Sequence, residues 1–424
     1  MSKQPLYLDY ASTTPVAPFV AKAMIACLEK DGNFANPASR SHMLGWQAEA
    51  AVEDARRQLA DLINSDPREI VWTSGATEAN NLAIKGSVQA LLENLEGFES
   101  SVVEKIVVIT SQTEHKAVLD TCAFFETDSF KERGIEVVYL KPQANGVSDL
   151  AAIKKTVSEF NTQASQASAG KSTEKNNTRF IVSLMHMNNE TGAMNDIARV
   201  GAYCRRENIL FHVDAAQSVG KVNIDVNALN VDLLSISAHK FYGPKGVGAL
   251  FVRRSPEIKV KAQIHGGGHE RGMRSGTLAT HQLVGFGAAA ELAKKRIDDD
   301  FLHLKALKQQ FVDGLNTLAT TLATPLSVNG DVDNDFPGIT NVCFAGVDGE
   351  TLMMSLRGLA ISSGSACTSA SVDPSYVLRV MGLSHEEAQS SLRFSFGRDT
   401  SAADITRALG DISKALTSLT KLAW

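Results

Sequence analysis

The sequence predicts an α/β fold, a mostly parallel sheet covered by helices on both faces, followed by a smaller α+β domain. Three observations predict it. From residue 41 to residue 252, short and nearly continuous apolar runs alternate with stretches of helical spacing. Five of these runs end in polar clusters, and in such sheets ligands bind beyond the carboxyl ends of the strands. After residue 254 the alternation stops, and a glycine-rich stretch gives way to one long helix and isolated strands. A chain of 424 residues is long enough for two domains and a large core.

The first helix is expected over residues 41–63. Leu44, Ala48, Val52, Ala55, Leu59 and Leu62 recur there three and four apart, and Ser41 can cap the start. Beyond Pro67, Ile70-Val71-Trp72-Thr73 reads as a short buried strand. It runs into Ser74-Gly75-Ala76-Thr77-Glu78, which opens a second helix. Gly75 lets backbone amides approach a ligand, and a helix N-terminus favours an anion. A phosphate site and an ordinary capped helix start are equally good readings of this stretch alone.

The pattern then repeats. Strands are expected at 105–110, 180–185 and 209–213. They are followed by Ser111-Gln112-Thr113-Glu114-His115, by His186-Met187-Asn188-Asn189 and by Asp214-Ala215-Ala216-Gln217. A helix at 196–206 keeps Ile197, Val200 and Cys204 on one face. Residues 232–236 form a strand that gives out at Ser237-Ala238-His239-Lys240, and Val247 to Val252 supplies another. Thr77, His115, Asn188, Asp214 with Gln217, and Ser237 with His239 and Lys240 converge on one edge. Five such clusters make a site. Residues 93–104 and 161–178 read as polar surface insertions, the second low in complexity and expected to be flexible.

The stretch from Gln263 to Thr277 is glycine-rich and punctuated by cations. His265 and His269 have no third ligand nearby, so it reads as a loop lining a subunit interface rather than a metal site. Residues 282–320 read as helix, with Lys294-Lys295-Arg296 and Asp298-Asp299-Asp300 on a solvated face. Strands at 341–345 and 392–396 and a helix near 349–358 complete the smaller domain. The expected boundaries are 15–296 for the large domain, and 1–14 with 297–424 for the small one.

Composition narrows the function. A formal net charge of −5 leaves no basic footprint, which argues against nucleic acid as a direct partner. The start has neither an apolar signal core nor an Arg-rich amphipathic helix, and no apolar run is long enough to span a bilayer. Five scattered cysteines without a C-x-x-C argue for a reducing compartment, a bacterial-type cytoplasm.

Two residues carry the chemistry. Lys240 sits where an apolar strand gives out, and desolvation there lowers an amine's pKa toward the free base that a Schiff base requires. With Ser237 and His239 beside it as phosphate donors, it suggests pyridoxal 5′-phosphate (PLP), against the plainer reading of a snorkelling lysine. Cys27, Cys122, Cys204 and Cys343 lie among apolar neighbours and read as small buried hydrophobes. Cys367, in Ser362-Ser363-Gly364-Ser365-Ala366-Cys367-Thr368-Ser369, has the surroundings of a mobile loop. Its thiol is a nucleophile or an idle loop residue.

Taken together, these motifs resemble the IscS/NifS cysteine desulfurases, within the fold-type I, class V aminotransferase-like PLP enzymes. The resemblance runs from Tyr7-Leu8-Asp9-Tyr10-Ala11 almost to the end. Ser74 to Glu78, Thr113-Glu114-His115-Lys116, His239-Lys240, Arg271 to Thr277 and Ser362 to Ser371 carry it, and the cysteine loop is similar to that of the IscS-type group. It implies a seven-stranded sheet in the large domain and a small domain carrying the cysteine loop at about 362–373. It also implies that Lys240 holds PLP, with Asp214 at the pyridine nitrogen, Gln217 at the ring oxygen and His115 stacked over the ring. Ala76, Thr77, Ser237 and His239 would bind the phosphate, joined by Thr277 from a second subunit, which implies a homodimer. Asn188 and Arg393 would receive the substrate carboxylate. L-cysteine would take the place of Lys240 on the cofactor, Lys240 would remove the α-proton, and the Cys367 thiolate would accept the sulfur as a persulfide, leaving L-alanine. Delivery to iron–sulfur cluster assembly and tRNA thiolation is implied, with Cys367 a transient iron–sulfur ligand through its persulfide and no other metal site. Ala238 and Ala216 stand where the family more often has Gly and Thr, small changes beside intact functional groups. The end at Trp424, ahead of a segment with which IscS-type proteins dock their scaffold, implies weakened docking. A selenocysteine lyase, a class V transaminase and a non-catalytic docking subunit are the alternatives.

Overall fold

The structure, a computed structural model, describes residues 4–96, 105–167, 178–363 and 373–422. Cys367 and most of the two expected insertions lie outside these residues. A seven-stranded sheet runs from edge to edge as Ile70–Thr73, Gly248–Val252, Leu233–Ser237, Leu210–Asp214, Arg179–Met185, Ile106–Ser111 and Ile135–Leu140. Only Gly248–Val252 runs against its neighbours; the remaining pairings are parallel. The α/β fold with a mostly parallel sheet is therefore borne out. The inner strands are apolar without alternation because helices cover both faces, and Leu233–Ser237 and Gly248–Val252 are buried at every position.

Ile135–Leu140 went unread in the sequence. It is an edge strand, partly exposed along its middle, and lacks the continuous apolar run of its neighbours. The first long helix begins at Met43, capped by His42, whose Nδ1 accepts from the Gly45 amide at 3.1 Å, and not by Ser41. Leu44, expected on its buried stripe, is exposed; Gly45 takes the inward position. Residues 161–167, expected within a flexible insertion, are the last turns of the helix Leu150–Ala167, and residues 93–96 end the helix Ala76–Glu96. Asp300, expected on a solvated face, is instead paired with Arg398 at 2.6 Å.

Two cores share one long helix, Thr280–Leu322. Leu283, Phe286 and Ala290 face the core around the large sheet, while Leu304, Phe311 and Leu315 face a second core. The second core lies against an antiparallel sheet of Ser391–Ser395, Ile339–Phe344 and Leu326–Asn329. Leu6–Tyr7 pairs in parallel with Leu359–Ala360, which ties the N-terminal segment to this part of the molecule. Next to Lys240, Phe241 packs on Phe286 with ring centroids 5.8 Å apart, and Phe286 in turn meets Trp72 at 5.6 Å. Gly220, at φ +76°, makes room for that ring, since a Cβ there would stand 2.6 Å from it. The lysine's backbone is thus clamped by aromatic packing.

A buried ion pair fixes the glycine-rich loop. Arg56 donates to both oxygens of Glu270 at 2.8 and 2.9 Å and to the Ile70 carbonyl at 2.8 Å, and Glu270 also accepts from the Trp72 amide at 2.9 Å. Both side chains are almost wholly buried, so removing either partner strands a charge. Arg56→Met is expected to lower the free energy of urea unfolding by about 3–5 kcal/mol. A loss below about 1 kcal/mol, the range of an exposed pair, would show that the pairing does not hold the loop.

Candidate active site

At the carboxyl edge of the large sheet lies a cavity of about 530 Å³. Ala76 and Thr77, His115, Asp214 and Gln217, Ser237, His239 and Lys240 all line it, each delivered by the end of a strand or the first turn after it. Arg393 reaches it from the strand Ser391–Ser395 of the smaller sheet.

Lys240 ends a short 3₁₀ turn, Ala238–Lys240, directly after the strand Leu233–Ser237. Its Nζ donates to the carbonyls of Ala11 and Ser12 at 2.7 and 2.8 Å. Those carbonyls are in place because Thr14 docks on the same turn, its amide and hydroxyl donating to the His239 carbonyl at 2.9 and 3.0 Å. Arg393, 2% exposed, donates to Asp9 Oδ1 and Ser12 Oγ at 2.7 Å and to the Asn189 carbonyl at 2.8 Å. Its buried Nε has no partner among the described residues.

Asp214 lines the same cavity at the end of the strand Leu210–Asp214. Its Oδ2 accepts from Asn80 Nδ2 at 2.7 Å and its Oδ1 from the Ala216 amide at 2.9 Å. Beneath it Glu114 is fully buried, one oxygen accepting from the Met185 amide at 2.7 Å; burial raises its pKa well above the ordinary carboxylate range. His239 is pushed the other way, to about 4, by burial and then by the charges of Lys240, Lys245 and Lys221. Its ring is therefore neutral near pH 7, with Nδ1 3.1 Å from Thr13 Oγ1. His115 caps the helix Lys116–Ala123, its Nδ1 accepting from the Ala117 amide at 3.1 Å.

This donor set fits PLP. The start of the helix Ala76–Glu96 presents backbone amides beside Ser237 and His239, a cradle for a phosphate. The cradle is shaped by glycine: a Cβ on Gly248 would stand 2.5 Å from the Ile236 carbonyl and 2.6 Å from Gly75 Cα. Asp214 is an acceptor suited to a pyridine nitrogen, and Lys240 supplies the amine.

Two expected residues are placed elsewhere. Asn188 does not line the cavity. Its Oδ1 accepts from the amides of Glu190 and Thr191 at 2.8 and 3.1 Å and its Nδ2 donates to the Thr113 carbonyl at 3.2 Å, so the side chain shapes its own turn. The neighbouring Asn189 lines the cavity instead. Thr277 is exposed and does not line this chain's cavity, although Arg274 in the same loop pairs with Glu78 on the cavity wall at 2.8 Å. Cys367 lies outside the described residues. Sequence reasoning missed Asn80, Ala11, Ser12 and Lys221. Asn80 was findable, since it stands one helical turn after Ala76 and so on the same face. The four cysteines expected to be buried are buried, and among the described residues no group of three or more His, Cys, Asp or Glu is placed to hold a metal.

Comparison with known proteins agrees with this geometry. The family model for class-V aminotransferases matches residues 6–408. The chain is 52% identical over 417 residues to a cysteine desulfurase IscS of Shewanella woodyi, covering 98% of this chain and 94% of that protein. It is 51% identical over 421 residues to the IscS of Tolumonas auensis, covering 99% and 95%. Among solved structures, a NifS-like protein superposes with a TM-score of 0.80 at 30% identity, covering 98% of this chain and all of that one. A structure described as SspA in complex with cysteine superposes at 0.71 with 37% identity, covering 92% and 99%.

The glycine cradle can be tested by itself. Gly248→Ala forces a methyl against main-chain atoms that cannot swing away, and is expected to cost about 1–3 kcal/mol in denaturant unfolding. Unfolding indistinguishable from the parent protein would mean that the turn at Gly75 does not depend on this contact.

Proposed function

The chain belongs to the class-V aminotransferase family, and from that premise we propose that it is a PLP-dependent cysteine desulfurase that moves the sulfur of L-cysteine onto Cys367 and releases L-alanine. The observation that carries this reading is Lys240, an amine at a strand end held by two carbonyls inside a cavity whose walls fit a phosphate and a pyridine ring.

PLP, when bound, draws electron density from the substrate and weakens its Cβ–S bond. The chain's own residues do the rest. Asp214, steadied by Asn80, would pair with the pyridine nitrogen, and Gln217 would donate to the ring oxygen. His115 would pack on the ring, and Ala76, Thr77, Ser237 and His239 would hold the phosphate. Asn189, rather than Asn188, and Arg393 receive the substrate carboxylate, and the buried Arg393 Nε is the donor that lacks an acceptor until an anion arrives. The amine of Lys240 would be the base that takes the substrate's α-proton. The Cys367 thiolate attacks the substrate sulfur: the S–S bond forms, the Cβ–S bond breaks, and the electron pair left on carbon takes up a proton on the way to alanine.

Two features support a role for the segment around Cys367. Ser362 exchanges main-chain hydrogen bonds with Arg393 at 3.3 and 2.7 Å, and beyond the segment Tyr376 donates to the Glu114 carbonyl at 2.5 Å. Both stems therefore leave from residues that border or underlie the cavity. The two cores support a division into a large domain at 15–296 and a small one formed by 1–14 and 297–424.

The enzyme is a homodimer in this reading. Phe19, Ile25, Leu28, Phe34, Met43, Leu44 and Trp46 are all exposed on and around the first two helices, a concentration of apolar surface that suits a subunit interface. The cavity wall at Thr77 and Lys245 is open to solvent, which leaves a place for Thr277 of a second subunit. The persulfide is passed to an iron–sulfur scaffold and to a tRNA-thiolation relay in the cytoplasm. Among the described residues no helix is long and apolar enough to cross a membrane.

Cys367→Ser is expected to keep the visible colour of the bound cofactor while forming no persulfide and losing alanine production at least about a hundredfold. Full turnover would refute the role given to that thiol. Met43→Glu with Trp46→Glu is expected to halve the particle mass in sedimentation; an unchanged mass would move the interface elsewhere.

A further inference from the structure

Lys240 and Lys245 line the cavity, and a third lysine, which the mechanism above does not use, stands behind Gln217. Lys221 follows Gln217 by four residues, and its Nζ donates to Gln217 Oε1 at 2.8 Å. The other end of that amide, Nε2, donates to the Ala11 carbonyl at 2.8 Å. Lys240 Nζ donates to the same carbonyl at 2.7 Å. The two amines are thus joined through one amide and one carbonyl.

The linkage has a direction. In its charged form Lys221 only donates, and Gln217 then turns its oxygen to Lys221 and its NH₂ toward Ala11. Lys221 and Lys240 also share the wall of a small chamber of about 30 Å³, room for one water, with Tyr10, Tyr242, Asp300 and Arg398 around it. The charges there are uneven. Asp300 is paired with Arg398 at 2.6 Å, and Asp9 is paired with Arg393 at 2.7 Å. Burial, and then the charges of Lys240 and Arg393, bring Lys221 down to about 7, so its charge is sensitive to pH near neutrality.

We propose that Lys221 is a positioning residue for the cofactor: it holds the Gln217 amide with its donor toward the cofactor's ring oxygen, and it places positive charge beside the linkage between Lys240 and the cofactor. This rests on the placement of that ring oxygen against Gln217 proposed above. Both effects act in one direction. A donor at the ring oxygen stabilises its negative charge, and a nearby cation disfavours a further proton on the linkage. Each therefore lowers the pKa of the bound cofactor, and losing Lys221 raises it.

The test is a pH titration of the visible absorption band of the cofactor-loaded protein, for the parent, Lys221→Met, Lys221→Gln, Lys221→Arg and Gln217→Ala. Both neutral variants are expected to titrate higher, by about one unit, and Lys221→Arg, which keeps charge and donor, to titrate closer to the parent. The two neutral replacements differ in polarity, so the test survives if one of them fails to fold. Gln217→Ala is expected to move the titration upward as well. An upward move for Gln217→Ala with neutral Lys221 variants that titrate with the parent would overturn the role of Lys221 alone. A Gln217→Ala protein that titrates with the parent would overturn the ring-oxygen placement on which it rests.

Discussion

Residues 9–14 cross the carboxyl edge of the sheet, and two cations, the half-buried Lys240 and the buried Arg393, hold them there. Lys240 donates to the carbonyls of Ala11 and Ser12, Gln217 to Ala11, and Arg393 to the Asp9 carboxylate and the Ser12 hydroxyl. Charged groups removed from water need such partners, and charge-assisted bonds of this kind are among the stronger ones available. The crossing does more than satisfy charge. Arg393 comes from the small sheet and Lys240 from the large one, so a six-residue segment joins the two cores at the point where the cavity opens. Without it Lys240 would lose two carbonyl acceptors, and the buried Arg393 would lose the carboxylate of Asp9.

Much of this was legible in the sequence, and what was not has a physical reason. Strands buried on both faces announce themselves as unbroken apolar runs, which is why Arg179–Met185 and Leu233–Ser237 could be placed to within a residue or two. Ile135–Leu140 could not, because an edge strand is half-exposed and its pattern is mixed. Strand-end residues such as Asp214 and Lys240 were visible because the topology gathers the carboxyl ends of the parallel strands on one edge. Long-range partners were invisible. Nothing local in Arg56 points to Glu270, 214 residues away, and nothing in Ser12 points to Arg393, 381 residues away. The choice between Asn188 and Asn189 is a matter of which side chain faces inward, and that is set by the turn in which Asn188 caps the amides of Glu190 and Thr191.

The arrangement divides the work between rigid and separate parts. The sheet fixes Asp214, Gln217 and Lys240 with a precision that a loop could not match, because each stands on or directly after a fully paired strand. Cys367, the sulfur acceptor in the proposed reaction, belongs to a stretch whose described flanks are tied to Arg393 and to the Glu114 carbonyl. In the proposed reaction the thiol has two tasks, attack on the substrate sulfur and its onward transfer, whereas the residues of the wall have only to hold the cofactor and the substrate.

In the proposed reaction sulfur leaves L-cysteine for one particular thiol, that of Cys367. Incubating the purified, cofactor-loaded protein with isotopically labelled L-cysteine without reductant, then locating the label by peptide mass spectrometry while counting alanine, shows where the sulfur goes. The expected result is one added sulfur atom on the peptide bearing Cys367, matched by one alanine for each sulfur. Label on Cys27, Cys122, Cys204 or Cys343, or alanine formed with no sulfur on the protein, would contradict it.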